Sequence, residues 1–201
     1  MDNLIITIAR GYGSNGKAIG KKLAGDLGIT FYDRNIISEA SNTGSDTGFS
    51  FGFGDEKLKF SLAKSAEDNN DEAPEKDIYV ADDKAFNFEA QKIREIADKE
   101  SCVIVGRCAD NVLKRHGNLL RVYIYASPKY CIKTIMKMYG VSPSEAERLI
   151  KQTDKERSEY YKHFTGNEWN NFSNYDLALN VASLGIDGCV EVIKEFIKNR
   201  R

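Results

Sequence analysis

The sequence predicts an α/β fold in which a mostly parallel, five-stranded sheet is covered by helices on both faces. Short uncharged runs rich in β-branched residues, such as Leu4 to Ala9, alternate with segments whose apolar residues repeat at helical spacing. This alternation is typical of parallel sheets, because a helix usually connects one parallel strand to the next. A chain of 201 residues can bury a core without a metal or disulfide, so we expect one domain, residues 1–201.

Each element has a local sequence signal. The first helix is predicted to end at Gly28, because glycine readily adopts the conformation that closes helices. A later helix begins at a capping box, in which Glu145 follows Ser142 after three residues. The predicted strands are residues 4–9, 29–32, 102–105, 119–125 and 177–181, and the predicted helices are residues 17–27, 35–40, 84–99, 110–115, 128–138, 142–161 and 186–198.

The segment from about Ser41 to Asp83 departs from this pattern. It has no sustained periodicity, and Phe49, Phe51 and Phe53 are separated by small residues. Long segments without secondary structure inside a domain are often functional loops. We therefore interpret this segment as an insertion that forms a hydrophobic flap.

The composition argues against several classes of protein. The 29 basic residues nearly balance the 30 acidic ones, which is not typical of nucleic-acid-binding proteins. No apolar run reaches the ~20 residues of a membrane-spanning helix, and the N-terminus lacks the pattern of a signal peptide. The 4 cysteines form no Cys-x-x-Cys pair, so we expect reduced structural thiols in a cytoplasmic protein.

The turn after the first strand has the Gly-x-x-x-x-Gly-Lys spacing of a phosphate-binding loop. Glycines let backbone N–H groups approach an anion, and the following helix contributes its positive end. Lys17 would contact the β- and γ-phosphates of a nucleotide. Ala18 replaces the usual Ser or Thr ligand of Mg²⁺, which leaves Ser14 or Asp33 as a candidate ligand. The predicted phosphate-binding residues are Gly11, Gly13, Ser14, Asn15, Gly16, Lys17 and Ala18.

Two other interpretations of this turn remain open. Gly11, Gly13 and Gly16 also fit the Gly-x-Gly-x-x-Gly pattern of dinucleotide-binding proteins, with Asp33 as the acid that holds a ribose. Lys17 argues against this alternative, because a lysine beside the pyrophosphate is unusual in that class. The turn could also be an ordinary connection between strand and helix, with a lysine on the surface.

Several blocks of the sequence, taken together, resemble the cytidylate-kinase-like family of P-loop proteins. They are, in chain order, Ile5 to Lys17, Phe31 to Arg34, Val103 to Asp110, Thr153 to Tyr161 and Asn174 to Asn180. The resemblance implies a P-loop NTPase fold with a monophosphate-binding region and a helical lid at about residues 141–170. It also implies transfer of the ATP γ-phosphoryl group to CMP, dCMP or a similar small acceptor, with Mg²⁺ as cofactor.

The candidate acceptor-binding residues follow the ends of two predicted strands, where ligands bind in open α/β sheets. An arginine there can hold a phosphate through two hydrogen bonds, and an aspartate can orient the arginine. The alternatives are a surface ion pair between Arg107 and Asp110 and a helix N-cap at Asp33. The predicted acceptor-binding residues are Asp33, Arg34, Arg107 and Asp110.

The predicted helix at residues 142–161 is the candidate lid. Arg148, Lys151 and Lys155 share one face of it, and a solvated surface is the alternative role for that face. The resemblance implies that lid arginines stabilise the transferred phosphoryl group, which favours Arg157 and its neighbour Asp154. The candidate catalytic residues are therefore Lys17, Asp154 and Arg157.

Two departures from the family's pattern favour an alternative function. Ala18 lacks the hydroxyl that usually holds Mg²⁺, and Val105 stands where nucleotide kinases of this type tend to have an acidic residue. Both changes affect the metal more than the binding of phosphate. The alternative is a nucleotide-binding regulatory protein with little or no turnover, and a dinucleotide-dependent oxidoreductase ranks below it.

Overall fold

The computed structural model describes residues 3–33 and 82–200. Within these residues, five parallel strands form one sheet in the order β2-β3-β1-β4-β5. The strands are β1 (Ile5–Arg10), β2 (Thr30–Tyr32), β3 (Cys102–Val105), β4 (Leu119–Tyr125) and β5 (Leu177–Asn180). The helices are α1 (Gly16–Leu27), α2 (Asp83–Lys99), α3 (Ala109–Val112), α4 (Pro128–Tyr139), α5 (Pro143–Thr165) and α6 (Val181–Asn199), with a short 3-10 helix at Phe172–Asn174. The predicted α/β class is confirmed.

The core lies on both faces of β1 and β3, which are two of the three inner strands and whose residues are all buried. On one face, Ile6 and Ile8 of β1 pack with Ile19 of α1 and Ile193 of α6. On the other face, Ile5 packs in a cluster with residues of β3 and α2. Complete burial of one such side chain stabilises a fold by about 1.5–3 kcal/mol. The carboxyl ends of β1 and β3 are therefore fixed firmly in place.

The strand order locates the most favourable place for a ligand. The connection after β1 leads through α1 to β2 at one edge of the sheet, whereas the chain after β3 crosses β1 to reach β4. Connections that diverge in this way leave a crevice at the carboxyl ends of the two strands. The order also differs from that of the dinucleotide-binding fold, in which the second strand lies beside the first. The dinucleotide interpretation is therefore wrong.

Most predicted boundaries agree with the structure within one or two residues, but α3 ends three residues before its predicted end and α5 ends four residues after its predicted end. The side chain of Asp82 accepts hydrogen bonds from the backbone N–H groups of Lys84 and Ala85, so α2 begins at Asp83, inside the predicted flap. Asn180 caps the first turn of α6 in the same way, and Gly185 (φ 70°, ψ 174°) then interrupts the helical geometry, so the regular helix after it begins at the predicted start, Ile186. The rest of the flap, the helix predicted at 35–40 and Arg34 lie outside the described residues.

The four cysteines are buried and carry no disulfide, as predicted. No helix in residues 3–33 and 82–200 is both long enough and apolar enough to cross a membrane.

Candidate active site

The glycine-rich loop joins β1 to α1 in a conformation that needs its glycines. Gly13 has a φ of 79°, and a Cβ placed on it would lie 2.9 Å from the carbonyl oxygen of Cys131. Asn15 has a left-handed φ of 58°, and its side-chain amide donates to the hydroxyl of Tyr130 at 3.1 Å. The loop therefore rests closely on α4, which contains both of these partners.

The structure brings Lys17 and Asp33 together at the carboxyl ends of the strands. The Nζ atom of Lys17 lies 3.0 Å from Oδ2 of Asp33, and both side chains are largely shielded from solvent. Lys17 is thus held at the start of α1 by a carboxylate that follows β2. This arrangement differs from the alternative of a lysine on the open surface.

The two candidate metal ligands have different surroundings. Ser14 is completely buried, and its hydroxyl has no hydrogen-bond partner within the described structure. Asp33 presents its carboxylate beside Lys17. No group of three or more His, Cys, Asp or Glu residues within the described ranges could hold a metal ion by itself. Mg²⁺ usually binds one or two carboxylates besides substrate phosphates and water. Asp33 supplies a carboxylate, which is a ligand of the right chemical type, and this carboxylate is also paired with Lys17.

Helix α5 is attached to the loop through two of the predicted catalytic residues. Asp154 accepts a hydrogen bond from the backbone N–H of Tyr12 at 2.8 Å. The Nη1 atom of Arg157 donates to the carbonyl oxygen of Arg10 at 3.1 Å, and its guanidinium lies 5.3 Å from the ring centre of Tyr12. The Arg157 side chain is only 6% exposed. These contacts place a buried arginine next to the phosphate loop.

Asp154 is itself a partly buried acid, with a side chain that is 32% exposed. Burial raises its pKa, whereas the Tyr12 N–H, Arg157 and Arg10 act in the opposite direction. Its Oδ1 atom lies 3.9 Å from Nη1 of Arg157, which is the ion pair that the spacing of these residues predicts. Asp154 therefore interacts with both the loop and the arginine.

The predicted basic face of the lid is not part of this arrangement. Arg148, Lys151 and Lys155 are exposed, and each forms an ion pair with a glutamate one turn away on α5. The partners are Glu145, Glu147 and Glu159, at 2.6, 2.7 and 3.8 Å. This face of α5 is therefore a solvated surface, which is the alternative role given above.

Arg107 and Asp110 are both buried just after β3, where they have different partners. Nε of Arg107 lies 3.5 Å from Oε2 of Glu89 on α2, and its guanidinium lies 5.6 Å from the ring centre of Tyr160. Asp110 accepts a hydrogen bond from the hydroxyl of Tyr161 at 2.6 Å. Burial raises the pKa of the Asp110 carboxyl group above its ordinary value, and the hydrogen bond from Tyr161 offsets only part of this increase. The alternative of a surface ion pair between Arg107 and Asp110 is wrong, because neither residue lies on the surface.

Two adjoining hollows open at the carboxyl ends of β1 and β3. The loop hollow covers about 570 Å³, part of which is open solvent, and is lined by the phosphate loop, Lys17 and residues of α4. The aromatic hollow covers about 370 Å³, also partly open solvent, and is lined by Arg107, Asp110 and a group of aromatic side chains. Among the described lining residues, Arg10 and Arg157 are shared by both hollows.

Sequence reasoning did not identify several residues of this site. The sequence signal that could have identified Arg10 is its position directly before the glycine loop. No sequence signal identifies Glu89, because it is distant in sequence from its partner Arg107. Tyr160, Tyr161 and Trp169 stand close together in the sequence, which indicates an aromatic packing cluster, and the structure adds that this buried cluster lines the aromatic hollow.

Solved structures with similar coordinates show the fold. An uncharacterized protein from Eubacterium ventriosum is 24% identical, with a TM-score of 0.76, over 98% of this chain and 100% of that one. A shikimate kinase from Bacteroides thetaiotaomicron is 16% identical, with a TM-score of 0.55, over 97% of this chain and 98% of that one. The comparison with curated proteins finds no significant match.

A match to a family model shows the family to which the chain belongs. The model described as the cytidylate kinase-like family matches residues 5–183. This range includes the loop, the ends of the strands and all of α5. The chain therefore has the P-loop kinase fold and belongs to the cytidylate kinase-like family.

Proposed function

We propose that this protein is a phosphotransferase that moves the γ-phosphoryl group of ATP to CMP, dCMP or a similar small acceptor with a phosphate group. The observation that carries the proposal is the pair of adjoining hollows, one at the phosphate loop and one beside Arg107. Phosphoryl transfer depends mainly on alignment of the donor with the acceptor and on neutralisation of negative charge. Two adjoining hollows that share two arginines suit both requirements.

The loop hollow would hold the triphosphate of ATP. Backbone N–H groups of the loop and the positive end of α1 favour an anion there. Lys17 would add an ammonium group at the β- and γ-phosphates. Because Asp33 already holds this ammonium group, Lys17 needs little reorganisation when the nucleotide enters.

Mg²⁺ is the cofactor that we propose, with Asp33 as the residue that would hold it, directly or through water. The ion would neutralise negative charge on the triphosphate. Ala18 contributes no oxygen ligand, so most of the coordination would come from phosphate and water.

Arg157 and Asp154 are the proposed catalytic residues of the lid, which we place at about residues 141–170. Arg157 lies at the boundary between the hollows and is held by a carbonyl oxygen and an aromatic ring. A preorganised cation in a buried site stabilises developing charge more than a solvated one. Asp154 would fix the position of Arg157 relative to the loop through its contacts with both.

The aromatic hollow would hold the acceptor. Arg107 would bind its phosphate, and Asp110 would orient the acceptor or the arginine. In the transfer, an oxygen of the acceptor phosphate forms a bond to the γ-phosphorus atom while the bond from that atom to the β,γ-bridging oxygen breaks. ADP leaves with the electron pair of that bond, and an acceptor phosphate that is already ionised has no proton to lose.

An ADP-release assay with Mg²⁺-ATP tests the proposal across CMP, dCMP, other nucleoside monophosphates and shikimate. We expect turnover with a pyrimidine monophosphate and loss of turnover in Lys17→Ala, without loss of fold. Lys114→Ala, a change at an exposed lysine, is the matched control and should retain the parental rate. Equal rates in Lys17→Ala and the parent would remove the loop from the mechanism.

The alternative function is nucleotide binding with little turnover. It is favoured by Val105, which is buried at the carboxyl end of β3 and supplies no carboxylate, and by Ala18. Calorimetric titration separates the two functions. Binding of ATP without ADP release for any acceptor would support the alternative, and a cytoplasmic location, where ATP is abundant, suits either function.

A further inference from the structure

We propose that Arg10 is a further catalytic residue, whose guanidinium contacts the transferred phosphoryl group where the two hollows meet. This inference rests on the proposed phosphotransferase function and adds a residue to its site. Arg10 is the last residue of β1, directly before the glycine-rich loop. Three independent observations of its surroundings support the inference.

The first observation is its place between the hollows. Arg10 is only 9% exposed, yet its atoms line both the loop hollow and the aromatic hollow. Arginine is seldom buried in proteins, because its charge loses hydration there. A buried arginine that lines two adjoining hollows is suited to an anion that lies across both of them.

The second observation is the space that two glycines leave for its side chain. A Cβ on Gly16 would lie 2.5 Å from the Cβ of Arg10, and a Cβ on Gly106 would overlap with its Nη1. The side chain therefore runs from the start of α1 to the end of β3. It crosses the crevice in which the strand order predicts a ligand.

The third observation is the nearness of a second cation. Arg157 donates a hydrogen bond to the carbonyl oxygen of Arg10, so the two residues have a fixed relationship at the boundary. Asp154 is the acid that interacts with both of them. Two guanidinium groups suit the transition state of phosphoryl transfer, in which negative charge is spread over three equatorial oxygens.

In the reaction, Arg10 would donate N–H hydrogen bonds to these oxygens and remain protonated throughout. The bonds that form and break are those of the transfer itself, so Arg10 supplies no atoms, electrons or protons. Its contribution should be larger in the transition state than in bound ATP, because only then does the phosphoryl group lie between the hollows.

The test is kinetic and uses Arg10→Met and Arg10→Lys, with Arg94→Met as the matched control at an exposed arginine of α2. We expect kcat to fall by about 100- to 1000-fold in Arg10→Met, which is the typical effect of removing one hydrogen-bond donor that stabilises charge in the transition state. The KM for ATP should change less than kcat, and Arg10→Lys should restore part of the rate. A parental kcat in folded Arg10→Met would overturn the inference. Unfolding of both Arg10 variants would also overturn it, since Arg10 would then belong to the fold.

A binding experiment separates this inference from the proposed function. The probe is a compound in which five phosphates join adenosine to cytidine, so that it reaches into both hollows. Arg10→Met should weaken binding of this probe more than binding of ATP, and equal weakening of both would contradict the inference. Absence of turnover in the parent with every acceptor would instead reject the proposed function.

Discussion

Replacement of Gly13 by alanine is a sensitive test of the loop geometry. The new Cβ would lie 2.9 Å from the carbonyl oxygen of Cys131 and 3.0 Å from its Cα, which are backbone atoms of α4. The backbone of Gly13 also has a φ of 79°, a conformation that L-residues rarely adopt. Both the loop conformation and its contact with α4 would therefore have to change.

The two effects can be estimated separately. The left-handed conformation costs alanine about 1–2 kcal/mol, and overpacking costs about 1–3 kcal/mol. The free energy of unfolding should thus fall by about 2–5 kcal/mol, part of the ~5–15 kcal/mol typical of a native domain. Because the loop must move to relieve the contact, affinity for ATP should fall as well.

Two matched variants isolate these effects in urea unfolding experiments. Gly140→Ala has a similar φ of 65° and no atoms within 4 Å of the new Cβ, so it should lose only the conformational part. Gly25→Ala, within α1, has open space and no positive φ, and it should stabilise the protein by about 0.5–1 kcal/mol. If Gly13→Ala were as stable as Gly140→Ala and bound ATP like the parent, the described contact with α4 would be wrong.

Two further predictions concern the aromatic hollow. Glu89→Gln removes the carboxylate from Arg107, so the KM for a phosphate-bearing acceptor should fall, while the KM for ATP stays near the parental value in the same ADP-release assay. An unchanged acceptor KM would argue against Arg107 as the phosphate-binding residue. Asp110→Asn removes a carboxylate whose pKa burial raises above its ordinary 3.8. A raised pKa means that ionisation destabilises the folded state, so the parent should lose stability relative to Asp110→Asn as the pH rises from the ordinary pKa through the raised one. Thermal melts of both proteins across this pH range measure the difference, and a constant difference would contradict the expectation.

Local features of this protein were predictable because their causes lie within a few residues. The limits of β3 and β4 agree with the predicted strands, since a short run of mostly β-branched and other apolar residues carries the signal of a buried strand. Ser142 caps α5 through the backbone N–H of Glu145, as its spacing predicts. The glycine spacing before Lys17 also indicated the loop, and the positive φ of Gly13 is a local requirement of the backbone that glycine meets.

The organisation of the candidate site depends on contacts between distant parts of the chain. Asp154 and Tyr12 are separated by 142 positions, and no sequence pattern shows that the carboxylate of one meets the amide of the other. The ion pair of Arg107 with Glu89 likewise forms because α2 packs beside the end of β3. The local sequence thus determined where the loop, strands and helices begin and end. The order of the strands and the packing of the helices decided that Arg10 lies between two hollows, because only tertiary contacts bring Gly16 and Gly106 to opposite ends of its side chain.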